Sequence, residues 1–276
     1  KSYKRKLRKD YYFKAKYKII NSFDNYDYGL FIRADFFHDD IIKYCKSKCS
    51  NFASYHYDGI NRNKEIFNKI HFFDSFFVFD KEDIISNPSF KFITNFYFDY
   101  PEEENISNEF DFYFLGSHHL SRKKMLFNFH KELNKVCKKV KFDIVFDKTQ
   151  YSEIPEYKLE NINCLPKLID YDLYLENTKK SKVIIDLVIN EHKGLSFRVF
   201  ESLKYRKKLI TTNSTIKEYP FYDENNIFIL KDDNFNQIES FLNRPYIEIN
   251  DTVLKTYSFT NWLRNLYEVE PYIAIK

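Results

Sequence analysis

The sequence predicts an α/β protein built from two successive βα-repeating domains, and three observations carry that expectation. Short apolar runs recur along the 276 residues, each followed by a stretch at helical spacing, which is the alternation of a parallel sheet. An acidic, proline-containing stretch at residues 99–109, DYPEEENISNE, interrupts this alternation, which then starts afresh. Finally, residues 182–213 read as strand, loop, helix, strand. An apolar run at 183–188, of the kind buried on both faces of a sheet, leads into a polar loop at 190–194, a helix at 195–206 and a second buried strand at 208–212.

Taken in order, the first half predicts strands at 28–33, 52–57, 75–79 and 90–96. Helices are expected between them at 38–48, 64–72 and 81–86. After the acidic linker come a strand at 110–115 ending in Gly116-Ser117, a long helix at 121–140 and a strand at 141–146. A looser stretch holds Pro155 and Pro166, and a helix at 170–180 leads into the 182–213 unit. The pattern closes with elements at 226–230 and 234–242 and a helix at 258–268. The expected organisation is an N-terminal domain over 1–100, a linker at 101–109, a second domain over 110–256, and a C-terminal helix at 257–276 packing back toward the first domain. The two domains are expected to face each other across a cleft, which is where ligands bind.

Composition narrows the classes. Hydrophobic residues make up 43%, enough for a sizeable core, and Phe 30 and Tyr 23 against Met 1 and Trp 1 read as coding bias more than ligand stacking. A net charge of +4, the 40 acidic residues and the lack of an RNA-binding aromatic motif argue against nucleic acid. No run of 18 apolar residues occurs, and the N-terminus has the charge of a signal peptide without its apolar segment. Cys45, Cys49, Cys137 and Cys164 form no CxxC pair and read as reduced thiols, so a cytoplasmic location is expected. The first twenty residues hold nine Lys or Arg and one acid, a helical stretch with a basic face. It is either a solvated surface or a contact for an anionic membrane.

The loop-to-helix step at 190–198 is the strongest functional signal. A loop that opens a helix at the carboxyl end of a parallel strand is where an open α/β sheet takes an anionic ligand. This helix carries Arg198, suited to a diphosphate, and Glu201, suited to the vicinal hydroxyls of a ribose, which together point to a nucleotide sugar.

Those residues also carry a family resemblance. GLSFRVFESLKYRKKLITTN followed by IKEYPFYDENNIFIL resembles the donor half of bacterial GT-B glycosyltransferases, most closely the spore-maturation-protein type, also described as lipopolysaccharide biosynthesis proteins. FDFYFLGSHHLSRKKMLF is similar to the first strand, phosphate loop and helix of that donor domain. YHYDGINRNKEIFNKIHFFDSFFVFDKEDI is similar to its acceptor-side segment. Such proteins begin with a strand and a glycine-containing loop ahead of the basic helix. This chain has neither, which predicts a shortened N-terminal domain or a sequence that starts within it.

The resemblance implies transfer of a sugar from a nucleotide-diphosphate donor to a hydroxyl of a surface glycan such as lipopolysaccharide, lipooligosaccharide or capsule. UDP is the first choice of nucleotide. Charge grows on the departing diphosphate, so fixed N–H donors and cations belong there. The candidates are Gly116, Ser117, His118 and Arg122 in and after the first loop, and Gly194, Ser196, Arg198 and Glu201 at the second. His119 is a further donor-side candidate. An inverting transfer needs a general base near the acceptor, and Asp58 and Asp35, each following an N-domain strand, are the candidates, with His56 beside them. Retaining relatives pair two glutamates eight positions apart. Lys193 stands eight before Glu201, so inversion is expected. Asp170-Tyr171-Asp172 matches a metal-binding DxD pattern, but it opens a helical stretch, where aspartates cap and face the dipole. No metal or other cofactor is therefore expected. The alternative is a GT-B-like module that binds nucleotide sugar or glycan without turnover.

Overall fold

The computed structural model describes residues 24–101, 106–136, 139–232 and 234–276. The basic stretch 1–20 and Cys137 lie outside them. The chain is α/β and forms two compact units, each with its own parallel sheet. One unit holds the residues up to Thr94 together with Leu263–Lys276; the other is Asn95–Trp262. The division therefore falls between Thr94 and Asn95, ahead of the acidic stretch. Residues just past it are tied into the second unit: Asn95 Nδ2 donates to Leu195 O at 2.8 Å, and the Phe96 ring packs on Phe197, Phe259 and Trp262.

In the first unit, strands β1 (Tyr26–Ile32), β2 (Cys49–His56), β3 (Ser75–Val78) and β4 (Lys91–Phe92) lie side by side in chain order, all parallel. Helices α1 (Asp39–Lys46) and α2 (Lys81–Ser86) connect them. Each helix has a side-chain cap at its start, with His38 accepting from Asp40 N and Asp80 from Glu82 N. Two expectations change here. The strand expected over 90–96 is only Lys91–Phe92, and the helix expected over 64–72 is two short 3-10 turns, Lys64–Asn68 and Ile70–Phe72. The residues of 64–72 still place Ile66 and Phe72 in the core with Phe31, Phe52, Phe76 and Phe90, so burial sets the path where helix propensity does not.

In the second unit the strands are β5 (Phe110–Ser117), β6 (Val140–Val145), β7 (Asn163–Leu165), β8 (Ser181–Asp186), β9 (Lys208–Thr211) and β10 (Ile227–Ile229). Their order across the sheet is β10-β9-β8-β5-β6-β7, all parallel. Numbered within the unit this is 3-2-1-4-5-6, the Rossmann order. Phe112, Tyr113 and Phe114 on β5 and Val183, Ile184 and Ile185 on β8 are all buried, as strands covered on both faces require. Helix α3 (Leu120–Val136) packs Leu126, Phe129 and Leu133 into that core. It is described only as far as Val136, and Val140 already begins β6, so the expected helix over 121–140 is too long. Helices α4 (Ile154–Leu159), α5 (Tyr171–Lys179), α6 (Phe197–Lys204), α7 (Ile238–Asn243), α8 (Asp251–Thr256) and α9 (Phe259–Tyr267) complete the described elements. Strand β7 and helices α4 and α8 have no counterpart in the sequence expectations. Each has six residues or fewer, too short for a period to show. None of the helices among the described residues is long and apolar enough to cross a membrane.

Candidate functional site

The strand order makes β5 and β8 neighbours whose connections leave in opposite directions, β5 toward β6 and β8 toward β9. The crevice beyond their carboxyl ends is the position where open α/β sheets bind ligands. A cavity of about 430 Å³ lies there, lined among others by Ser121, Arg122, Leu187, Asn190, Lys193 and Asn213. Of the eight donor residues expected from sequence, Arg122 alone lines it.

Arg122 sits in the first turn of α3 and is 9% exposed. Its Nη1 donates to Leu187 O at 2.8 Å and its Nη2 to Ser117 O, so one guanidinium ties the carboxyl end of β5 to that of β8. Gly116 is what admits it. A Cβ built there would stand 2.7 Å from Arg122 Nη2 and 2.8 Å from Phe114 Cζ, closer than any side chain tolerates. His118 is buried against Phe146, with its Nδ1 2.8 Å from Tyr157 Oη, and burial pushes its pKa down. Its backbone N–H donates to Val145 O, which fixes the loop to β6. His119, next along, reaches across to the β8 loop, with Nε2 3.0 Å from Glu191 Oε1.

Around the start of α6 the organising residue is one the sequence reading left out. Asp186, the last residue of β8, is 2% exposed. It accepts from Ser196 Oγ at 2.8 Å, from Thr211 Oγ1 at 3.0 Å and from Arg198 Nη1 at 3.4 Å. Arg198 also donates through Nη2 to Leu115 O at 2.5 Å and lies over the Phe114 ring. Burial works against its charge, but Tyr174, Asp186 and Glu201 outweigh that and hold its pKa above the usual arginine value. Gly194 is buried in the loop before α6, where Asn213 Nδ2 donates to Lys193 O at 2.8 Å. Glu201 is 2% exposed, and its two oxygens accept from the hydroxyls of Tyr171 and Tyr174. Burial raises its pKa; the two hydroxyls pull it back in part. An acid closing the apolar run VIID was the available signal for Asp186. Nothing in the sequence marks Tyr171 and Tyr174 as partners of a glutamate some thirty positions on. Asp170 stands at the N-cap of α5 but makes no side-chain capping bond. Among the described residues no group of three or more His, Cys, Asp or Glu is arranged to hold a metal ion.

The first unit brings its three candidates together, with a partner the sequence reading did not name. Arg33 follows β1 and grips Asp35 with two bonds, Nε to Oδ1 at 2.9 Å and Nη2 to Oδ2 at 2.7 Å. Its Nη1 reaches Asp58 Oδ2 at 2.6 Å. Arg62 donates to the other Asp58 oxygen at 2.5 Å, and Asn63 to Asp35 Oδ2 at 2.5 Å. The Asp35 side chain is fully buried, whereas that of Asp58 is 16% exposed. Burial raises the Asp35 pKa, but the hydrogen bonds and charge of Arg33 more than offset it and leave the carboxyl below its ordinary range. The fully buried His56 ring has Nδ1 3.6 Å from Asp35 Oδ1, and among the described residues neither ring nitrogen has a hydrogen-bond partner. Burial, with help from Arg33, pushes its pKa down to about 4.

No protein-family model matches the chain, and no curated protein matches it. Solved structures do. The pneumococcal O-GlcNAc transferase GtfA, in complex with UDP and GlcNAc, superposes with a TM-score of 0.54 at 11% identity, over 91% of this chain and 58% of its own. An alpha-glucosyltransferase, in complex with UDP and a 13-mer DNA, gives 0.52 at 13% identity, over 83% of this chain and 73% of its own. S. aureus TarM, in complex with Fondaparinux, alpha-GlcNAc-glycerol and UDP, gives 0.51 at 12% identity over 79% of this chain. The chain spans only 50% of TarM. At such identities the likeness is one of fold, and that fold, two Rossmann-like parallel-sheet domains, is the GT-B fold of glycosyltransferases.

Proposed function

We propose that the chain is a glycosyltransferase that moves a sugar from a nucleotide diphosphate to a hydroxyl of a surface glycan, with inversion and without a required metal. The observation that carries this is the 430 Å³ cavity beyond the carboxyl ends of β5 and β8, bordered by Arg122 in a sheet of Rossmann order. Solved proteins of the same fold hold UDP. In this reading the second unit takes the donor, with UDP as first choice. Arg122, which lines the cavity, is the first contact for the diphosphate, with Arg198 and the backbone at the end of β5 and of the loop at Gly194–Ser196 assigned to the same side. The cations stabilise charge that grows as the glycosidic bond breaks, which lowers the barrier more than it tightens the ground state. Glu201 belongs to the ribose side. The first unit takes the acceptor. Asp58, the more exposed of the two carboxylates, is the base that removes the hydroxyl proton, with Asp35 and His56 behind it. A cytoplasmic location with the basic stretch 1–20 against an anionic membrane face fits a lipid-linked acceptor.

A thermal-shift panel of UDP, GDP, CDP and dTDP, with Arg198→Ala alongside, tests the donor site. A nucleotide at a hundred times its Kd stabilises the fold by about 2.7 kcal/mol. One nucleotide raising the midpoint of the wild type and not of the variant supports the assignment; no shift with any of them sinks it. Anomeric configuration of the product by NMR decides stereochemistry. Retention is the competing outcome, because alpha-glycosyl names recur among the solved proteins of this fold. The second reading, a module that binds without turnover, is favoured by one observation. Both oxygens of each candidate base are bonded to a cation or an amide, and such partners weaken a base. Nucleotide binding with no transfer to any glycan would select it.

A further inference from the structure

We propose that Arg33 is the positioning residue of the first unit's site, holding Asp35 and Asp58 side by side so that Asp58 meets the acceptor. The argument begins with backbone geometry. Four non-glycine residues among those described have positive φ: Arg33 at 59°, Asn161 at 56°, Arg206 at 50° and Glu268 at 55°. Three of them follow helix ends and close a Schellman-type turn. Ile162 N donates to Tyr157 O, Lys207 N to Ser202 O and Val269 N to Arg264 O, so helix termination accounts for their conformation. Arg33 lies between β1 and a 3-10 turn at Ala34–Phe36, which it opens, so it follows no helix whose termination would call for a left-handed residue. Glycine would take this left-handed position without strain, and any residue with a Cβ takes it at a cost. Strain of this kind persists where the side chain does something the backbone alone cannot.

What the side chain does is visible. Asp35 and Asp58 come from the loops after β1 and β2, and one guanidinium, 10% exposed, contacts both through three N–H groups. Carboxylates gathered at one site repel each other, and a cation that contacts both offsets that repulsion. A lysine supplies the charge but not the planar fork that serves two acceptors at fixed angles. The other groups facing the pair are His56, Tyr57, Arg62 and Asn63. Arg62 is 45% exposed and donates to Asp58, and Asn63 donates to Asp35, whereas the Arg33 guanidinium spans both acids. The role of Asp58 rests on the function proposed above; the coupling by Arg33 does not.

The test is Arg33→Gly, which suits the backbone conformation and removes only the side chain, with Arg33→Lys beside it. Carboxylate NMR of the folded proteins should show the Asp35 titration moving up by at least one pH unit in Arg33→Gly, and returning when methylguanidinium is added. In the transfer assay, kcat should fall about a hundredfold with KM little changed, Arg33→Lys lying between, and methylguanidinium should restore part of the rate. An Asp35 titration that does not move, or a transfer rate equal to wild type, overturns the proposal. If the wild type shows no nucleotide shift and no transfer, the functional reading fails, and the Asp35 titration alone still decides whether Arg33 couples the acids.

Discussion

Ser196 Oγ donates to Asp186 Oδ1 at 2.8 Å, which turns the hydroxyl at the N-cap of α6 away from the helix it opens. A serine in that position ordinarily accepts from the first turn of its own helix. Here no side chain caps α6, and the hydroxyl serves the strand that precedes it. Asp186 thereby becomes the junction of β8, β9 and α6, through Ser196, Thr211 and Arg198.

Replacing that junction should be costly. Asp186→Ala strips Arg198 of a counter-ion and leaves two hydroxyls without an acceptor. Breaking a buried pair costs about 3–5 kcal/mol, and because the Arg198 side chain is 23% exposed the lower end applies, about 3 kcal/mol. Ser196→Ala removes one neutral donor and should cost about 1 kcal/mol. Urea unfolding of the two variants measures both.

Gly116 and Arg122 should behave as one unit. Gly116→Ala pushes a methyl into the guanidinium and the Phe114 ring, an overpacking cost of about 1–3 kcal/mol. Arg122→Ala leaves the carbonyls of Ser117 and Leu187 without this donor, at about 2–4 kcal/mol. In the double variant the clash with the guanidinium is gone and only that with Phe114 remains, so the combined loss should fall short of the sum by at least 0.5 kcal/mol. A strictly additive pair in urea titrations contradicts the geometry.

His56 should make the protein acid-sensitive. Its pKa is depressed to about 4 in the folded chain, against about 6.5 unfolded. Between those values the unfolded state binds a proton that the folded state does not. Stability from this residue is therefore complete above pH 6.5 and falls by about 1.4 kcal/mol per unit as pH drops toward 4. In His56→Gln that slope should be absent from unfolding free energies measured between pH 7 and pH 4.5.

Asp83 should act in the opposite sense. Burial, opposed by a bond from Ile60 N and reinforced by Asp80 and Glu82, raises its pKa to about 6. Between about pH 4 and pH 6 the folded state holds a proton that the unfolded state has lost, so the destabilisation is complete above pH 6 and fades progressively as pH falls from 6 toward 4. Asp83→Asn keeps an acceptor for Ile60 N without the charge. It should raise stability at pH 8 by about 1–2 kcal/mol and by little at pH 4.5. Denaturant midpoints at the two pH values check the sign.

The sequence made the second unit readable because its strands are long apolar runs and its glycines are few. β5, β6, β8 and β9 all fall within two residues of where the runs place them. The pieces that escaped are short, β7 and α8 among them, or are held by long-range packing, as with the turns at Ile66 and Phe72. The site was legible as residue types and not as partnerships. Arg122 and Arg198 stand out in sequence as free cations, yet each donates to a strand-end carbonyl, Leu187 O and Leu115 O. Glu201 reads as an open helix-face acid until its fold brings Tyr171 and Tyr174 over it. Arg33 looked like the tail of an apolar run, since nothing in the order of residues says that its φ is positive or that two loops converge on it.

The make-up of the first unit has a consequence for the order of synthesis. Tyr267 donates its hydroxyl to Gly29 O at 2.7 Å and lays its ring against Tyr28, so a strand made early waits for a residue made more than two hundred positions later. On a ribosome the second unit has all its residues once Trp262 has emerged, while the first does not until the segment from Leu263 onward follows. A nascent chain stalled before that point would carry β1 without its last partner, with Tyr28 and Gly29 O left uncovered for as long as the stall lasted.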